Sequence, residues 1–140
     1  MRARARLSAY SSLMKMKGVN SPSAPAPAGG YSQAVEVVGA ERLLFVSGQI
    51  PQSAAGAIPA DFPSQARLAW RNVLAQLDAA GMAVANLVKV TVFLSSREFA
   101  LANREIRQEM LGSHSPALTV IIADIFDEQW LLEIEAVAAD

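Results

Sequence analysis

The run Leu131-Leu132-Glu133-Ile134-Glu135-Ala136-Val137 sets two carboxylates two residues apart in an otherwise apolar segment. Read as a strand, its period of two turns Glu133 and Glu135 to one face and Leu132, Ile134 and Ala136 to the other. A carboxylate in apolar surroundings is costly unless it is paired or in use. A desolvated carboxylate beside another has a raised pKa and can move protons as a general acid or base. The plainer alternative is a rim glutamate paired with an arginine across a subunit interface. It stands beside the catalytic reading for Glu133 and is the better reading for Glu135. A second candidate is Ser47-Gly48-Gln49, at the end of a Val-rich run. A serine hydroxyl and a glycine N–H that a ligand can approach closely would suit polarising a carbonyl or imine. The alternative there is a β-bulge or a turn entry. Tyr31-Ser32-Gln33 offers a phenol and an amide, or only strand capping. His114, in Gly112-Ser113-His114-Ser115-Pro116, reads as a solvent-facing loop histidine. Lys89 reads as an edge or pocket lysine, or one that snorkels to solvent. Trp70 reads as core, and Trp130 either lines a cleft or staples the last strand.

The elements that must position these residues follow from pattern. Ser32–Val38 and Leu43–Ile50 read as strands, and the short Gly39–Arg42 link predicts a hairpin between them. Residues 51–60 read as a loop. Asp61 is an N-cap with Pro63 in the first turn. Leu68, Val73, Leu74 and Leu77 then recur at helical spacing until Gly81 stops the helix. Leu87–Leu94 is a strand, Phe99–Leu111 a second helix, and Ala117–Ala123 and Trp130–Ala138 two further strands. Two helices and about five strands predict an α+β domain with both helices on one face of a mixed sheet. The strands are too apolar for the other face to lie in water, so self-association is expected.

Composition narrows the chemistry. The chain has 140 residues, 52% of them hydrophobic and 18% charged, a single globular domain by length and composition. There is no cysteine, which excludes disulfides, thiolate metal sites, iron–sulfur clusters and cysteine nucleophiles. A single histidine leaves no His-rich metal site, and a Ser-His-Asp triad would hang on that one residue. No apolar run reaches the roughly 18 residues that span a bilayer. A cytoplasmic protein without metal or cofactor is expected. Charge is uneven: residues 1–17 carry five basic side chains and no acid, and the first acid is Glu36. The remainder is acidic on balance, which argues against nucleic acid as a partner. The Arg- and Ser-rich start has the composition of an organellar transit peptide. Alternatively it is a disordered extension, or upstream codons ahead of a start at Met14 or Met16. Residues 20–30 form a Pro/Ala/Gly/Ser linker. The expectation is therefore a disordered tail over 1–30 and a folded domain over 31–140.

Taken in order, Tyr31-Ser32-Gln33-Ala34-Val35, Val46-Ser47-Gly48-Gln49-Ile50-Pro51, Gln65-Ala66-Arg67, Asn72-Val73-Leu74, Ala79-Ala80-Gly81, Val88-Lys89-Val90-Thr91-Val92-Phe93-Leu94, Ser115-Pro116-Ala117 and Glu133-Ile134-Glu135-Ala136-Val137-Ala138 resemble the RidA/YjgF family. These are the reactive-intermediate deaminases once called L-PSP endoribonucleases. The resemblance implies a chorismate-mutase-like α+β fold with a five- to six-stranded mixed sheet. It also implies a homotrimer whose sheets form a central barrel, with small-molecule sites in the clefts between subunits. In deaminase members an enamine or imine of a 2-oxo acid is hydrolysed to the 2-oxo acid and ammonia. By the resemblance, Glu133 positions water and handles protons, Ser47 and Gly48 help hold the substrate, and Tyr31 is the pocket tyrosine. The family's carboxylate-binding arginine follows the Pro-Ala of the fourth strand; here that position is Leu118. Leucine cannot bind a carboxylate, whereas a guanidinium matches one with a planar fork. Either another cation (Arg107, Arg97 or Lys89) has taken over, or the ligand is not a 2-imino acid. Three functions are thus open: an imine or enamine hydrolase, a non-catalytic trimeric metabolite binder with Leu118 and Trp130 in its cleft, and a ribonuclease, which the acidic core disfavours.

Overall fold

The structure, a computed structural model, describes residues 14–140. In chain order the elements are β1 (Lys15–Val19), β2 (Ala34–Val38), β3 (Leu43–Gln49), α1 (Phe62–Ala79), β4 (Leu87–Leu94), α2 (Ala100–Leu111), β5 (Ala117–Ile122) and β6 (Leu132–Ala139). Four strands form one mixed sheet in the order β3-β6-β4-β5. β6 lies antiparallel between β3 and β4, and β5 runs parallel to β4. The β4–α2–β5 crossover makes the parallel pair, since a parallel connection needs a long return path.

α1 starts where the sequence predicts. Asp61 accepts the backbone N–H of Ser64 at 2.9 Å, and that hydrogen bond holds its carboxyl below the usual carboxylate range. The helix ends in a Schellman turn, with Gly81 N–H donating to Asp78 O and Met82 N–H to Leu77 O. Gly81 has φ +71°, the left-handed conformation this turn requires and glycine adopts freely. The buried stripe of α1 is Ala66, Ala69, Trp70, Val73 and Leu77, with Leu68 and Leu74 only half-buried. Small alanines let the helix sit close to the sheet. Phe62 stacks on Phe99 with centroids 4.5 Å apart, tying the start of α1 to the turn ahead of α2. The core lies between the helices and Val46, Val90, Val92, Leu132, Ile134, Ala136 and Ala138 of the sheet. The expected α+β class, with helices on one face, is what the chain adopts.

Two expectations are corrected. The predicted hairpin between the first two strands is absent: β2 pairs antiparallel with β1, and β3 pairs with β6. The short link turns elsewhere, because Glu41 N–H and Arg42 N–H both donate to Asp140 O and Asp140 N–H donates to Arg42 O. Order also begins before Tyr31. Lys15–Val19 is a strand within the segment expected to be disordered, mostly exposed and so without an apolar stripe to announce it. The rest of the basic leader, residues 1–13, lies outside the described residues. Among the described residues no helix is long and apolar enough to cross a membrane.

Candidate functional site

Alternation along β6 is as predicted. Leu132, Ile134, Ala136 and Ala138 are buried, while Glu133 and Glu135 turn to the face away from the helices. Between Val46↔Ala136 and Gln49↔Ile134, β3 advances three residues while β6 advances two. The extra residue is a bulge at Ser47–Gly48, the kind of irregularity that re-aims side chains. The bulge brings Gly48 directly beneath Glu133: a Cβ at position 48 would lie 2.0 Å from Glu133 Oε1. Only glycine lets the carboxylate lie there. Among the described residues Glu133 has neither an ion-pair partner nor a side-chain hydrogen bond, and the ion pairs present are Arg42–Asp140 and Arg67–Glu109. The chain after β3 is pinned by α1, where Asn72 Nδ2 donates to Ile50 O at 2.8 Å and to Gln52 O at 3.0 Å.

Beside Glu133 on the same sheet face, Ser47, Lys89, Thr91 and Glu135 line a cleft of about 310 Å³ together with Phe45 and Val137. Lys89 Nζ donates to Thr119 Oγ1 at 2.6 Å and makes no ion pair with Glu135. This face also exposes large apolar side chains, with Leu43 61% and Phe45 74% exposed.

Tyr31 and Leu118 meet elsewhere. They line a cleft of about 390 Å³ between α2, the start of β5 and residues 28–33, together with Asn103, Arg104 and Arg107. Leu118 is level with Val90 and Ala136 across the sheet and packs against the core. Among the described residues none lines both clefts. Tyr31 Oη accepts Ala28 N–H at 3.1 Å, leaving its own proton free. Arg107 is 4% exposed. Among the described residues its Nε has no partner and its Nη2 reaches only Gly29 O at 3.5 Å, and its guanidinium lies 5.8 Å from the Tyr31 ring centre. Burial, and then the neighbouring Arg104, lower its pKa from the ordinary arginine value. Asn103, 3% exposed with its Oδ1 unpartnered, is a cleft residue that sequence reasoning missed; an asparagine inside a helix, where it is a poor former, was the available signal.

The other candidates separate from both clefts. Trp130 lines neither; it lies 6.4 Å from Phe126, centroid to centroid, next to a clamp in which Gln65 accepts Leu131 N–H. His114 is half-buried rather than solvent-facing and lies 2.7 Å, through Nε2, from Leu87 O. Arg97 is exposed. Ser32, also missed, donates its hydroxyl to Ser115 O at 2.7 Å and so ties the Tyr31 segment to the start of β5.

The family model for Endoribonuclease L-PSP matches residues 21–140. Among similar proteins, TdcF of Escherichia coli K12, described as a reactive intermediate deaminase, is 35% identical over 127 residues, covering 87% of this chain and 95% of its own. A crystal structure of E. coli TdcF with bound serine has a TM-score of 0.66 at 33% identity and covers 89% of this chain and 98% of its own. The 2-iminobutanoate/2-iminopropanoate deaminase of E. coli K12 is 34% identical over 127 residues, covering 87% and 96%. A Rid-family protein, YyfB of Yersinia pestis, has a TM-score of 0.79 at 26% identity, covering 89% and 98%.

Proposed function

The chain belongs to the RidA/YjgF family, the group that also carries the description endoribonuclease L-PSP, and from that premise we propose that it hydrolyses the imine or enamine of a small metabolite. The observation that carries this reading is the unpaired Glu133 carboxylate lying over Gly48. In this reaction water adds to the imine carbon as Glu133 takes a proton from it. The same carboxyl returns that proton to nitrogen, giving the carbinolamine; it then takes the remaining hydroxyl proton and passes it to the amine, the C–N bond breaks, ammonia leaves, and the oxygen of water remains as the carbonyl. Such proton transfer contributes on the order of 10²- to 10⁴-fold in rate. Ser47 and the backbone around the bulge hold the substrate beside it. Copies of the chain associate as a homotrimer through the apolar sheet face, so that the Glu133 side of one copy meets the Tyr31 side of another. The names of the two E. coli deaminases support the chemistry.

An amino-acid dehydratase that generates 2-iminobutanoate, coupled to timed ammonia release, tests it. The protein is expected to accelerate release, and Glu133→Gln to lose about 10²-fold or more of that acceleration. Ammonia release by Glu133→Gln at the wild-type rate overturns it. Leu118 favours a second reading, a non-catalytic metabolite binder; it predicts no acceleration by wild type while ligand binding persists.

A further inference from the structure

We propose that Arg107, with Asn103 and Tyr31, is an anchor for a small carboxylate ligand, bound in the cleft that Leu118 lines. The proposal rests on the reading above only in taking that carboxylate to be the substrate's. Arg107 is 4% exposed; a buried charge needs a partner, and among the described residues no acid of its own chain pairs with it. The sequence has no acid before Glu36, so the N-terminal segment supplies none either. Burying an uncompensated charge is destabilising, and burial lowers the Arg107 pKa from its ordinary value. A buried cation without a partner in its own chain that faces a cavity points to an anion that enters it. The cavity of about 390 Å³ suits a compact metabolite. Asn103 Oδ1, buried and unpartnered, accepts from an N–H or O–H next to the carboxylate. The Tyr31 hydroxyl has a proton to donate, since its oxygen already accepts Ala28 N–H. Arg104, exposed and donating to Ala28 O at 2.6 Å, adds positive potential at the mouth. The anchor has moved from the strand to the helix, and leucine at 118 is then packing rather than a missing contact.

Calorimetric titration of the full chain with 2-oxobutanoate and with its neutral amide tests this. The carboxylate is expected to bind about 30-fold or more tighter than the amide, the loss typical of one charge-assisted contact. Arg107→Lys, which keeps the charge but loses the fork, and Gln33→Glu, which sets an acid on the exposed wall of the cleft, are each expected to weaken the carboxylate at least tenfold and leave the amide unchanged. Arg107→Met is expected not to lower Tm in the absence of ligand, because it removes an unpaired buried charge; an arginine retained for structure would lose Tm. If Arg107→Met does not fold, the other two variants decide. Equal affinity for the two probes, no binding of either, or unchanged carboxylate affinity in Arg107→Lys and Gln33→Glu overturns the proposal. Glu133→Gln keeps carboxylate binding if the anchor is right, so silence in the ammonia assay with Arg107-dependent binding removes the hydrolase reading alone. Glu133-dependent turnover whose KM ignores Arg107→Lys removes this one alone.

Discussion

Glu133 and Gly48 make a pair in which the smaller residue sets what the larger can do. With 2.0 Å between Glu133 Oε1 and the place of a Cβ on residue 48, Gly48→Ala must drive the carboxylate aside. A glutamate is flexible and lies on the open sheet face, so it can swing out and the fold survives. We expect Gly48→Ala to keep its Tm within a few degrees while losing about 100-fold or more in imine hydrolysis, read by ammonia release against a melting curve. Of this pair the sequence shows both members, because strand alternation exposes the glutamates and Ser-Gly marks the bulge. It does not show that they touch, since a bulge is set by pairing with a partner strand more than eighty residues away. Arg107 is legible only as a basic residue on a helix. Its burial depends on residues 28–33 folding over it, which nothing local in α2 records.

At the scale of elements, the entry to β6 is fixed by one side chain from α1. Gln65, 2% exposed, donates to Pro59 O at 2.8 Å and Gln129 O at 2.9 Å, and accepts Leu131 N–H at 2.8 Å. Gln65→Ala would strand an N–H and two carbonyls in a buried place, at a cost of about 2–4 kcal/mol. A urea titration should show a lower midpoint with an unchanged m-value. Because β6 carries Glu133, the same variant should also raise KM. The helices and the four strands of the main sheet are legible in the sequence because each has its own period and stops. The expected β2–β3 hairpin is absent because a short link says only that two strands are near. Which edges pair is decided by β6, the last element made, inserting beside β3. β1 was hidden for a different reason: Lys15, Met16, Lys17 and Gly18 form a strand with no buried stripe, so its basic composition resembles a solvated tail.

For the whole molecule, the sheet face opposite the helices is the dominant fact. Leu43, Phe45 and Ile121 lie on it, 61%, 74% and 43% exposed, an apolar surface of the kind that monomers rarely leave in water. Phe45→Glu is expected to shift the proposed trimer towards monomer in light scattering at micromolar concentration; a trimer unchanged by it would remove the sheet face from the interface. The two clefts, which share no lining residue among those described, add a consequence for how much protein a cell must make. If each working centre is completed only where two copies meet, the isolated chain is not a weaker catalyst but half of one. Output then rises faster than in proportion to the number of chains until association saturates. Below that threshold, doubling expression would more than double the rate of the proposed imine hydrolysis.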